Sequence, residues 1–96
     1  MPRVKWSRNA LLNLDRLHAF LTSKDNGAAQ RALAAIWQAV GLLGKHPEIG
    51  RPVDEAPEEL RELVIAFGQG AYVVLYHYHD NEVVILAVRH GREAGY

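Results

Sequence analysis

The spacing of apolar residues changes period along the chain. Val4 and Trp6 alternate with Arg3 and Lys5, which predicts a short N-terminal strand ending at Ser7. The Ser7 hydroxyl suits an N-cap, because it can accept from the free amides of a first helical turn. Leu11, Leu14, Leu17 or His18, and Leu21 then recur at spacings of three and four, the pattern of a helix with one buried face running to about Lys24. Asp25-Asn26-Gly27 is a turn cluster, and Asp25 or Asn26 can cap a second helix. That helix carries a cleaner stripe: Ala29, Leu33, Ile36, Val40 and Leu43. So short a loop requires the two helices to pack as an antiparallel hairpin. Gly41 and Gly44 weaken the second helix and Pro47 stops it.

Residues 45–59 hold Pro47, Gly50, Pro52 and Pro57 and read as an ordered loop crossing from helices to sheet. From Leu60 the pattern becomes β. Leu63, Val64, Ile65 and Phe67 lead into Gly68-Gln69-Gly70, residues 72–79 form a second strand, Asp80-Asn81 makes a tight turn, and residues 83–88 form a third. The unbroken apolar run of that third strand predicts a central position, covered on both faces or nearly so. The expected fold is α+β: one domain over residues 1–96, ordered β-α-α-β-β-β, with a helical hairpin across one face of a mostly antiparallel sheet. Trp6 and Trp37 both lie in amphipathic elements and are expected to anchor the core.

Composition narrows the function classes. The 96 residues are 49% hydrophobic and 23% charged, ordinary for a globular domain and too apolar for a disordered chain. Cysteine is absent, which removes disulfide frameworks, thiolate metal sites and cysteine nucleophiles. The N-terminus lacks an apolar leader core and no window approaches ~18 consecutive apolar residues, so a soluble cytoplasmic protein with no membrane contact is expected. Eleven basic and eleven acidic side chains give a formal charge of zero. The zero conceals a polarity: residues 1–52 carry +5, residues 53–88 carry −6 and residues 89–96 carry +1. The helices are basic, whereas the following loop and first hairpin strand are acidic, an arrangement that fits either a solvated surface or two partner-facing surfaces of opposite sign.

Two constellations could carry chemistry. His77 and His79 share a strand face and could offer two imidazoles to a metal, with His90 or Asp80 as a third ligand. They alternate with Tyr76 and Tyr78 beside a turn, however, where aromatic and polar side chains commonly decorate an exposed face, so no metal or other cofactor is expected. The end of the chain is more informative, because the apolar strand delivers Arg89 and His90 abruptly into a polar segment with Arg92 and Tyr96. Metal-independent RNA cleavage uses such groups: a base takes the ribose 2′-proton, a guanidinium steadies the phosphorane, and an acid protonates the leaving 5′-oxygen. His90 could be the acid or base, and Arg61, Arg89 or Arg92 could grip phosphate. Alternatively, Arg89 and His90 simply cap the sheet. Serine-nucleophile, phosphate-loop and H-E-x-x-H motifs are missing.

The order of elements, together with Val4-Lys5-Trp6-Ser7, His46-Pro47-Glu48-Ile49-Gly50-Arg51-Pro52, Leu60-Arg61-Glu62-Leu63, Tyr72-Val73-Val74-Leu75-Tyr76 and Val88-Arg89-His90-Gly91-Arg92-Glu93, resembles the RelE/ParE toxin superfamily of bacterial type II toxin–antitoxin modules over essentially the whole chain. The resemblance implies a growth-inhibiting toxin of the plasmid-stabilisation type, neutralised by a cognate antitoxin. Members divide between RelE-like toxins, which cut mRNA on the translating ribosome, and ParE-like toxins, which poison DNA gyrase. In the RelE-like case it implies a catalytic set of Arg61, Arg89, His90, Arg92 and Tyr96, with Gly95 lengthening the usual spacing to Tyr96 by one residue. Phe67 and Gly68 stand where a RelE-like arginine is expected, and the segment from Asp54 to Glu62 is acidic where lysines would help. A ribosome-directed nuclease needs positive charge against phosphates, so these residues favour the ParE-like branch. A non-toxic interaction module on the same fold is a third alternative. The antitoxin is expected to lay an extended or helical segment over the sheet edge and the helical face, its acidic residues meeting the basic helices.

Overall fold

The computed structural model describes residues 2–92. Its elements are strand β1 (Arg3–Trp6), helices α1 (Arg8–Thr22) and α2 (Asn26–Leu42), and strands β2 (Arg51–Pro52), β3 (Leu60–Phe67), β4 (Gly70–His79) and β5 (Glu82–His90). The sheet order is β1-β5-β4-β3-β2. β1 runs parallel to β5 and every other pairing is antiparallel, so the expected α+β architecture is present.

Local chemistry accounts for the boundaries. Ser7 Oγ accepts from the Ala10 amide at 3.0 Å and Asp25 Oδ1 from the Ala28 amide at 3.1 Å, so each helix starts on the cap anticipated for it. Asp80 and Asn81 both take positive φ, the geometry of a two-residue turn matched to strand twist. The helices bury Ala10, Leu14 and Leu17 from α1 and Ala29, Ala32, Ile36 and Val40 from α2. All of these but Ala29 join Tyr72, Val74, Tyr76, Val83, Ile85 and Val88 of the sheet in one continuous core.

Three details depart from the sequence reading. The crossing loop contains β2, in which Arg51 pairs with Glu62 and Pro52 with Arg61; a two-residue strand with a proline at the sheet edge has no periodicity to display. Trp37 is 49% exposed, because it lies beside the buried stripe, whereas Trp6 is half-buried and packs against the core as expected; the two rings meet with centroids 4.6 Å apart. β5 is central, between β1 and β4, but covered unevenly: Val83, Ile85, Ala87 and Val88 are buried while Val84 and Leu86 are half-buried. No helix among the described residues is long and apolar enough to cross a membrane.

Candidate functional site

Strand register determines where the cationic residues go. Tyr72, Val74, Tyr76 and Tyr78 of β4 face the helices, and their partners His90, Val88, Ile85 and Val83 share that face. The opposite, open face carries Val73, Leu75, His77 and His79, with Arg89 across from Val73.

Between the second half of α1 and the β3–β4 turn, at the end of β5, lies a cleft of about 460 Å³. Leu17, Leu21, Phe67 and Tyr72 give it an apolar wall, Phe20 stands exposed at its mouth, and Arg16, His90 and Arg92 supply the polar rim. The Tyr72 ring meets His90 edge-on at 5.5 Å and Phe67 at 5.8 Å. Burial pushes the Tyr72 hydroxyl above its ordinary pKa, so it remains a neutral phenol. His90 Nδ1 accepts from the Arg92 amide at 3.1 Å, which places the hydrogen of the neutral ring on Nε2. The backbone behind the ring is pinned by the Gly91 amide, which donates to the Ala71 carbonyl at 2.7 Å.

Of the sequence-derived candidates, His90 and Arg92 are therefore brought together. Arg89 points to the open face, where its Nη2 lies 3.8 Å from Glu62 Oε2 and its Nη1 donates to the carbonyls of His90 and Gly91 at 3.3 and 3.5 Å. Glu62 also accepts from Arg51 Nε at 3.3 Å. Arg61 is paired with Tyr76, four residues along β4 from the Tyr72 that pairs with His90, a separation of roughly 13 Å at strand rise. Its Nη1 donates to the carbonyls of Gly50 at 2.8 Å and Glu48 at 3.2 Å, clamping the loop before β2. Tyr96 lies outside the described residues. His77 and His79 meet edge-on with ring centroids 6.1 Å apart on the open face, and His90 is on the opposite face of the sheet, so it cannot complete a ligand set with that pair.

Sequence reasoning passed over Arg16, Phe20, Phe67 and Tyr72 as site residues. Phe20 offered the one usable signal, an aromatic residue of α1 outside the Leu14–Leu17–Leu21 stripe; the others declare themselves only when the helix is laid on the sheet.

A second, polar depression of about 360 Å³ lies at the other end of the β3–β4 pair, lined by Glu48, Glu58, Glu59, Arg61, Tyr78, His79 and Asp80. With four carboxylates around it, it is the structural counterpart of the acidic segment in the sequence and an unfavourable place for a nucleic-acid phosphate.

Known proteins resemble this chain nearly end to end. Toxin RelE3 of Caulobacter vibrioides is 31% identical over 93 residues, covering 97% of this chain and 98% of that one. Toxin RelE1 of the same organism is 33% identical over 87 residues, covering 91% and 90%. The chromosomal ParDE toxin–antitoxin system of P. aeruginosa shares the fold, with a TM-score of 0.74 at 22% identity over 94% of this chain and 96% of that chain. The RelBE2 toxin–antitoxin complex of Mycobacterium tuberculosis superposes with a TM-score of 0.67 at 26% identity over 94% and 99%. Residues 4–95 match the family described as the ParE toxin of the type II toxin–antitoxin system parDE, and with fold and relatives in agreement the chain belongs to that family, within the RelE/ParE superfamily.

Proposed function

We propose that this toxin arrests growth in the ParE manner, by binding DNA gyrase in the cytoplasm, and that a cognate antitoxin holds it inactive. The observation that carries this reading is the dispersal of its cations. RNA cleavage without a metal needs a base, an acid and a phosphate-gripping guanidinium converging on one phosphate. Here Arg61 is spent on two loop carbonyls, Arg89 faces away beside Glu62, and the His90 Nδ1 lone pair is occupied by a backbone amide. The acidic depression beside Arg61 supports the same conclusion. The solved relative caught with its antitoxin supports a protein partner of that kind, and Arg8, Arg16 and Arg31 on the helices, with Lys24 in the turn between them, are suited to an acidic segment.

Inducing the toxin without antitoxin and mapping transcript ends alongside gyrase-linked DNA breaks tests the proposal. The expected result is growth arrest with intact messages and accumulated breaks. Codon-aligned cleavage on translating ribosomes would replace it with the RelE-like alternative, which is favoured by the adjacency of His90 and Arg92 in the cleft and by similarity to a toxin named RelE3. In that case His90→Ala should abolish cleavage.

A further inference from the structure

We infer that Asn13, acting through a one-residue bulge at Leu86, is the positioning residue that decides which of two neighbouring side chains, Arg89 or His90, enters the cleft. The positioning does not rest on the proposed function.

β1 covers the outer edge of β5 only as far as the Trp6–Ile85 pair. Beyond it no strand among the described residues lies alongside, and α1 takes its place. At this point β5 gains one residue over β4: Tyr76 pairs with Ile85 and Leu75 with Ala87, leaving Leu86 without a partner. The bulge turns backbone groups out of the ladder, and α1 meets them. The Leu86 carbonyl accepts from Ser7 Oγ at 3.2 Å and Asn9 Nδ2 at 3.0 Å. The Val88 amide donates to Asn13 Oδ1 at 2.9 Å, and Asn9 Nδ2 lies 3.5 Å from the same oxygen. Asn9 and Asn13 are one helical turn apart, so they stand in register with the edge that β1 leaves uncovered.

The extra residue reverses the facing of everything after it. Val83 and Ile85 point to the helices, and strict alternation would continue with Ala87 and Arg89. With Leu86 inserted, Val88 and His90 take the helix side, and Arg89 goes to the open face beside Glu62. In the unbulged register the Arg89 guanidinium would enter the apolar wall of Tyr72 and Phe67 and leave Glu62, while His90 would leave the cleft. Asn13 favours the bulged register because it is the acceptor for the Val88 amide, which an apolar side chain of the same size would leave unmet.

The test compares Asn13→Leu, which keeps the volume and removes the acceptor, with Asn13→Asp, which restores the acceptor. In the full chain, nuclear Overhauser contacts between the His90 and Tyr72 rings and the tautomer of His90 report its placement, and growth inhibition on induction is measured in parallel. N13L is expected to lose the ring contact and the single Nε2–H tautomer, whereas N13D retains both. If N13L fails to fold, N13A is scored by the same spectra and carries the same expectation. An acceptor-less variant that keeps the His90–Tyr72 contact overturns the inference, whatever its effect on growth. Loss of the contact with growth arrest undiminished upholds the positioning and removes the cleft from the toxin's action.

Discussion

Tyr76→Phe isolates the contact that fastens the loop before β2. The ring is fully buried, and its hydroxyl donates to the Pro47 carbonyl at 2.7 Å while accepting from the Gly50 amide at 2.9 Å. Phenylalanine keeps the buried ring, so no cavity forms and the cost is that of two severed hydrogen bonds. The Gly50 amide becomes a buried donor with no acceptor, at a cost of about 2 kcal/mol, and the partly buried Pro47 carbonyl adds about 1 kcal/mol because water can reach it. The expected loss is therefore about 3 kcal/mol, which for a domain of this size lowers Tm by about 15 °C. Equilibrium urea unfolding should show a lower midpoint with an unchanged slope. The same hydroxyl gives the protein an alkaline limit. Burial, partly opposed by the Gly50 amide and Arg61, raises its pKa above 10.0, so the folded state holds a proton that the unfolded chain has released. Stability is thus fully present below pH 10.0 and falls as pH rises through the folded pKa; Y76F should fall less steeply, Tyr72 supplying the remaining slope. Arg61 grips the same loop, so Y76F and Arg61→Met should couple by more than about 0.5 kcal/mol in a double-mutant cycle. A Y76F loss below about 0.5 kcal/mol, or strict additivity with R61M, would refute this account of the loop.

Three further outcomes follow from contacts elsewhere. Gly50→Ala should destabilise by about 2–3 kcal/mol, measured by urea unfolding, because an added Cβ would lie 2.5 Å from Tyr76 Oη and 2.9 Å from the Glu62 carbonyl. Asp25→Ala removes the cap of α2 and should cost about 1 kcal/mol, with Asp25→Ser recovering most of it in thermal melts. Trp37→Ala should cost only about 1 kcal/mol and change the near-ultraviolet dichroism of Trp6, since the ring is half outside the protein and its principal aromatic partner is Trp6; a loss above about 3 kcal/mol would instead restore Trp37 to the core.

The fold was legible where period and punctuation agreed. Leu14 and Leu17, and Ile36 and Val40, mark helix faces unambiguously, and Asp80-Asn81 marks a hairpin. β2 was hidden because its edge position depends on Tyr76 and Arg61, residues on other strands that reach back to the loop. The site was legible in composition and hidden in geometry. Arg89, His90 and Arg92 drew attention as a polar group ending an apolar strand, but every residue from Val83 to Val88 is apolar, so nothing in the sequence reveals a change of facing at Leu86. Without that change, neither the departure of Arg89 from the cleft nor the arrival of His90 in it can be deduced. Asn9 and Asn13, the chemical trace of the bulge, look in sequence like ordinary polar positions on the solvent side of a helix.

The parallel pairing of β1 with β5 joins residues 79 apart, as in Val4 with Val83. Closing so long a loop is entropically expensive and rewards the chain with only a four-residue ladder, whereas the β3–β4 and β4–β5 hairpins close locally. The N-terminal strand should consequently dock after the folding barrier has been crossed. Truncating Val4 would then leave the refolding limb of a chevron almost unmoved and steepen the rate of escape from the native state, making β1 a kinetic fastener for an already assembled hairpin sheet.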